Sequence, residues 1–145
     1  MIAIGADHGG FELKEAVKKH LEERKIEYKD FGTYSGEAVD YPVIAKSVGE
    51  AVAKGEFECG ILVCGTGIGM SIAANKVKGI RAACCSDTFS ARFTKMHNNT
   101  NILCFGGRVI GAGLAIDVVD AYLDASFEGG RHEKRVNMIM EIENN

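Results

Sequence analysis

The chain has 145 residues, 46% of them hydrophobic and 26% charged, with a formal net charge of -3. That balance supports one globular domain with a core of its own, and because the slight acidic excess is dispersed, composition points away from nucleic acid and anionic membranes. The N-terminal MIAIGADHGG lacks a basic stretch ahead of its apolar residues, and no apolar run reaches the roughly 18 residues of a membrane span. The five cysteines show neither paired CxxC nor histidine spacing. The expectation is a cytoplasmic protein with reduced thiols, no disulfide framework and no metal site, whose partners are a small molecule or another subunit.

Short apolar runs alternate with helix-period segments along the chain, the pattern of a parallel sheet with helices on both faces, a three-layer α/β fold. MIAIGA opens it, and the segment from Phe11 to Lys25 sets Leu13, Ala16, Val17 and Leu21 on one side with charges elsewhere, as a surface helix does. IEYKDFG alternates and suits an edge strand; a helix is predicted from about Pro42 to Lys54. CGILVCG, IRAACCS and NILCFGG are apolar on consecutive residues, like strands buried on both faces. Helices are predicted from Gly69 to Lys76, Thr88 to His97 and Gly113 to Asp124. The last segment, GGRHEKRVNMIMEIENN, spaces Val136, Ile139 and Met140 helically but follows no strand, so its apolar stripe is expected to pack on a partner subunit.

In an open parallel sheet ligands bind beyond the carboxyl ends of the strands, where the strand order reverses. For a flavodoxin-like order of 2-1-3-4-5, that reversal makes neighbours of ADHGG and CGTGIG, the two most chemically loaded loops. Gly65, Thr66, Gly67, Ile68 and Gly69 can gather backbone N–H groups around an oxyanion at a helix start; the plainer reading is a tight strand-to-helix turn. No Lys-Ser/Thr pair follows, so this is no P-loop, and a dinucleotide fingerprint is missed because the third glycine stands at 69. A free cysteine is usually a small core residue, and Cys59, Cys84, Cys85 and Cys104 are left in that role. Cys64 differs: at a strand's carboxyl end, beside N–H groups and a helix start, it has the setting of a nucleophile or base.

Asp7 and His8 end the first strand and are candidates for hydroxyl and phosphate recognition, against the plainer role of capping a helix. In KMHNNTN, His97 is a candidate proton carrier, and the asparagines Asn98 and Asn99 read as helix C-cap candidates. Arg131 and Arg135 stand four apart on one helix face with His132 beside them, a spacing that clamps a phosphate; Arg108 follows FGG on the ligand side. His20, among lysines and glutamates, reads as surface.

GADHGGFELK, DYP, GILVCGTGIGMSIAANK, GIRAA, HNNTNILCFGGRVIG and FEGGRHEKRV, taken in order, resemble the family of ribose-5-phosphate isomerase B and galactose-6-phosphate isomerase from end to end. The resemblance implies a Rossmann-like domain, a homodimer or dimer of dimers with shared active sites, no cofactor or metal, and interconversion of D-ribose 5-phosphate with D-ribulose 5-phosphate. It makes Cys64 the general base, Gly65 to Gly69 the holder of the developing oxyanion, and Thr66 and His97 the residues assisting ring opening. Asp7, His8 and Asn98 become substrate contacts, and Arg108, Arg131 and Arg135 phosphate ligands. A second branch of the family has a glutamate base where this chain has Met70, which places the chain in the thiol branch; in that other branch the position of His132 opens the ring. Rival readings are an isomerase of a six-carbon sugar phosphate, a non-catalytic nucleotide-binding module, and a redox protein, the last lacking a resolving CxxC cysteine.

Overall fold

A computed structural model describes residues 1–144. β1 (Ile2–Ala6), α1 (Phe11–Glu23), β2 (Tyr28–Asp30), α2 (Tyr41–Ala53), β3 (Cys59–Cys64), α3 (Ile68–Ala74), β4 (Ala82–Cys84), α4 (Thr88–Asn98), β5 (Ile102–Gly106), α5 (Ala112–Leu123) and α6 (Arg131–Ile142) follow one another. Every strand pairing is parallel, so the carboxyl ends of all five strands share one edge of the sheet and the helices run back toward the other.

The strand order is β2-β1-β3-β5-β4, which corrects the expected 2-1-3-4-5. IRAACCS and NILCFGG read as equally apolar, but β5 keeps five residues fully buried, whereas β4 keeps three that are half-buried or exposed. The longer buried strand takes the inner place and the short one the edge, as edge strands generally are short. The reversal between β1 and β3 is untouched, because β1 still lies between β2 and β3.

Alternation along β3 divides the core. Cys59, Ile61 and Val63 face α1 and α5, meeting Val17, Leu21, Val118 and Tyr122. Leu62 and Cys64 face α2 and α3, meeting Val48, Met70 and Ala74. Local chemistry sets the helix ends: Pro42 occupies the first turn of α2, the Asp87 carboxylate accepts from the Ser90 N–H at 2.6 Å at the start of α4, and Asn99, at φ 48°, closes α4 as the left-handed C-cap.

α6 lies against the amino-terminal edge of the sheet. Val136 is buried, the Arg81 guanidinium donates to Met140 Sδ at 3.3 Å, and the Gly79 N–H donates to the Glu143 carboxylate at 3.0 Å. Met138, Ile139 and Ile142 remain exposed on this chain. Among the described residues, no helix is long and apolar enough to cross a membrane.

Candidate active site

At the carboxyl edge, three loops meet at the reversal between β1 and β3. The Asp7 carboxylate accepts the N–H groups of Gly9 (2.9 Å) and Gly10 (3.2 Å), which fixes the turn into α1. His8 Nδ1 accepts the Val39 N–H at 3.3 Å, and His8, Gly9, Gly107 and Arg108 wall a cleft of about 480 Å³. The loop after β5 locks onto the loop after β3: Gly107 N–H donates to Cys64 O at 2.8 Å and Arg108 N–H to Gly65 O at 3.0 Å. The Arg108 side chain lies over Gly65, where an added Cβ would stand 3.3 Å from a guanidinium nitrogen.

Cys64 is buried at the end of β3, and its sulfur accepts the Gly67 N–H at 3.1 Å. Thr66 Oγ1 accepts the Ile68 N–H at 3.2 Å, leaving the amides of Gly69 and Met70, in the first turn of α3, without intrahelical acceptors. Gly67 makes this geometry possible. Its φ of +81° is left-handed, and a Cβ there would stand 2.6 Å from the Phe105 backbone carbon. Gly67→Ala is therefore expected to cost on the order of 3 kcal/mol, read as a lowered melting temperature.

The other thiols differ. Cys59 and Cys85 are pushed up to about 11 by burial, and burial also raises Cys104 well above the ordinary thiol value. Cys84, read from sequence as core, is exposed; partial burial first and Cys64 second raise its thiol, which donates to Thr66 O at 3.5 Å.

The remaining candidates stand elsewhere. His97 and Asn98 end α4, and Asn101, three residues on, accepts the Gly60 N–H at the start of β3 (2.9 Å). They therefore sit at the amino-terminal edge, separated from Cys64 by the length of β5, roughly 16 Å. There the His97 and His132 rings stack, with centroids 4.0 Å apart and planes 9° from parallel. Glu128 Oε2 lies 3.7 Å from His97 Nε2 and 3.6 Å from His132 Nε2. Arg131 and Arg135 share the helix face beside them. His97, Asn98, Arg131, His132 and Arg135 thus form one cluster, and Asp7, His8, Cys64, Thr66 and Arg108 another. A single chain does not bring the two together, because a helix that follows a parallel strand returns to the opposite edge.

Three residues escaped the sequence reading. Glu128 sits in FEGG without helical or strand period and gains meaning only beside two stacked imidazoles. Tyr41, in DYP, lays its ring 2.8 Å from where a Cβ of Gly69 would be, against the glycine loop. His20 is no simple surface group, since its Nε2 lies 2.8 Å from Asp120 on α5.

Residues 2–139 match the family model described as Ribose/Galactose Isomerase. The chain belongs to this family. Ribose-5-phosphate isomerase B of Escherichia coli is 55% identical over 142 residues, spanning 98% of this chain and 95% of that one. The structure of ribose-5-phosphate isomerase B from Clostridium thermocellum superposes with a TM-score of 0.97 at 53% identity, covering 99% of this chain and 97% of the other. That of the Mycoplasma genitalium enzyme with bound ribulose-5-phosphate does so with a TM-score of 0.95 at 39% identity, covering 99% and 96%. Met70 is fully buried in the same cluster as Cys64.

Proposed function

We infer that the protein is an aldose-ketose isomerase interconverting D-ribose 5-phosphate and D-ribulose 5-phosphate. The observation that carries this reading is Cys64, set at the topological reversal with its sulfur on the Gly67 N–H, in a chain of this family. Isomerisation needs a base within reach of C1 and C2 and donors aimed at the oxygen where charge develops. Cys64 takes the C2 proton of the open-chain aldose and returns it to C1 of the enediolate, the O2 proton passing to O1 so that C2 becomes the carbonyl, while the amides of the Gly65–Gly69 loop hold the oxyanion. Asp7 and His8 position the sugar hydroxyls with Tyr41 alongside, and Arg108 reaches toward the phosphate. Neither proton transfer calls for a cofactor or metal.

The second cluster joins through another copy of the chain. A two-fold axis places the amino-terminal edge of one copy over the carboxyl edge of its partner, so that His97, Asn98, Arg131 and Arg135 complete a site begun by Cys64. The uncovered Met138, Ile139 and Ile142 on α6 then find a neighbour.

Complementation tests both ideas. Cys64→Ala and His97→Asn chains are each expected to be nearly inactive in a coupled isomerase assay on ribose 5-phosphate. Unfolded together and refolded, half of the random dimers are mixed and each mixed dimer has one intact site, so about a quarter of wild-type activity returns. No recovery means that sites are not shared; an inactive wild-type chain refutes the isomerase reading itself.

A further inference from the structure

The amino-terminal cluster contains a carboxylate to which the isomerase reading assigns no task. Glu128 Oε2 lies 3.7 Å and 3.6 Å from the Nε2 atoms of two stacked imidazoles, His97 and His132. The arrangement is held from several sides. The Glu128 N–H donates to Met96 O at 3.0 Å, tying this loop to α4. Phe93 packs edge-on against His97 with centroids 5.0 Å apart, and Phe89 packs on Phe93 at 4.4 Å, an aromatic ladder that fixes the His97 ring.

The charges around the pair come from three elements: His97 on α4, Glu128 on the loop, and Arg131, His132 and Arg135 on α6. Burial first, then His97, Arg131 and Arg135, lower His132 from its ordinary value, and Glu128 alone among its charged neighbours opposes them. Two imidazolium ions stacked at 4.0 Å beside two arginines repel strongly, whereas one proton facing one carboxylate is balanced. The same three donors lie within 4.8 Å of one another, a spacing open to a metal ion. Stacked parallel rings, however, hold their nitrogen lone pairs in separate parallel planes that do not converge on one ion, and the arginines oppose a dication.

We propose that Glu128 is a positioning residue that makes His97 and His132 a single proton-sharing unit, and that this unit, rather than one histidine, opens the sugar ring. The proposal rests on the isomerase reading for its substrate. In the step, the imidazolium of the pair gives its proton to the ring oxygen O4 as the C1–O4 bond breaks, its electron pair going to O4. The neutral imidazole takes the proton of the C1 hydroxyl, whose electrons form the C1 carbonyl. One proton leaves the pair and one enters, so the unit ends as it began, with the charge on the other ring.

The test uses the full-length wild-type protein, Glu128→Gln and Glu128→Asp. Glu128 is 44% exposed, so the amide is compatible with folding. Proton NMR of the histidine rings, with no substrate present, is expected to show His97 and His132 titrating together in the wild type and at a pH lower by roughly 0.5–1 unit in Glu128→Gln, because the carboxylate that stabilised the imidazolium is gone. In Glu128→Gln, kcat/KM on ribose 5-phosphate is expected to fall about 10-fold at neutral pH. The alkaline limb of its pH profile, where the pair loses its last proton, should move down by the same interval as the titration. Glu128→Asp is expected to restore much of that position. Independent histidine titrations with midpoints unchanged in Glu128→Gln overturn the proposal, as does an unmoved alkaline limb, or activity lost to EDTA and restored by zinc. The titration judges the pair even where the wild type proves to act on another sugar phosphate, so the two readings fail separately.

Discussion

Cys64→Ser is expected to lower kcat on ribose 5-phosphate by about 10²–10⁴-fold, the range for removal of a positioned general base, with little change in melting temperature. Serine keeps the size of the side chain, and its oxygen can accept the Gly67 N–H that sulfur accepts at 3.1 Å. The loop therefore holds its shape. What is lost is basicity, since a hydroxyl is a far weaker proton acceptor near neutral pH than a thiolate. Cys64→Ala should lose the same activity while leaving the Gly67 N–H without a partner. A coupled assay with a thermal melt on each variant separates the two effects. Turnover near wild type in Cys64→Ser with folding intact would mean that another group is the base, and Cys84, which donates to Thr66 O of the same loop, would be the next to replace.

The largest structural effect is expected at Asp30. Lys14 is completely buried, and its ammonium donates to the Asp30 carboxylate at 2.7 and 2.8 Å and to the carbonyl of Thr33. Asp30 also accepts from Lys18 at 2.9 Å and from the Gly32 N–H at 2.8 Å. Asp30→Ala leaves a buried cation without its counter-charge and is expected to cost about 3–5 kcal/mol, or roughly 10 °C in melting temperature for a chain of this size. Replacing the pair together, Lys14→Met with Asp30→Leu, should recover much of that loss. Burial works against the Asp30 charge, but the hydrogen bonds from Lys14, Lys18 and the Gly32 N–H outweigh it and hold the carboxyl below the usual range. A depressed carboxyl contributes its stability in full above the ordinary value of about 4 and loses it as pH falls through the folded-state value. Acid unfolding of the wild type should begin below that point, and in Asp30→Ala this contribution should be missing from the acid limb. Because Gly32 O and Thr33 N–H pair with Ala6 on β1, loss of the ion pair also loosens the ground under Asp7 and His8.

These two sites differ in how far the amino-acid pattern reveals them. Element positions were legible to within about two residues, because each strand is a short apolar run bounded by glycine or charge and each helix shows its period. The place of β4 was not, since IRAACCS and NILCFGG look alike until pairing lengths decide which is inner. The carboxyl-edge loops were legible through the reversal rule, which needs only that β1 lie between β2 and β3. His97 and Arg131 were joined to that site by chemistry and by the resemblance, which shares it between subunits; the edge His97 takes within one chain follows from its position, since a residue just before β5 stands where β5 begins. Lys14 looked like one more charge on the polar side of α1, because its partner lies 16 residues away and only the fold brings it near.

The opposite-edge placement of Cys64 and His97 has a consequence for the working unit. Under the shared-site reading each polypeptide is half of two catalytic centres and the whole of none. A chain alone is inert whatever its fold. Chemical damage to one thiol silences one centre and spares the other, whereas separation of the copies silences both, so the interface rather than the cysteine sets how much dilution the activity survives.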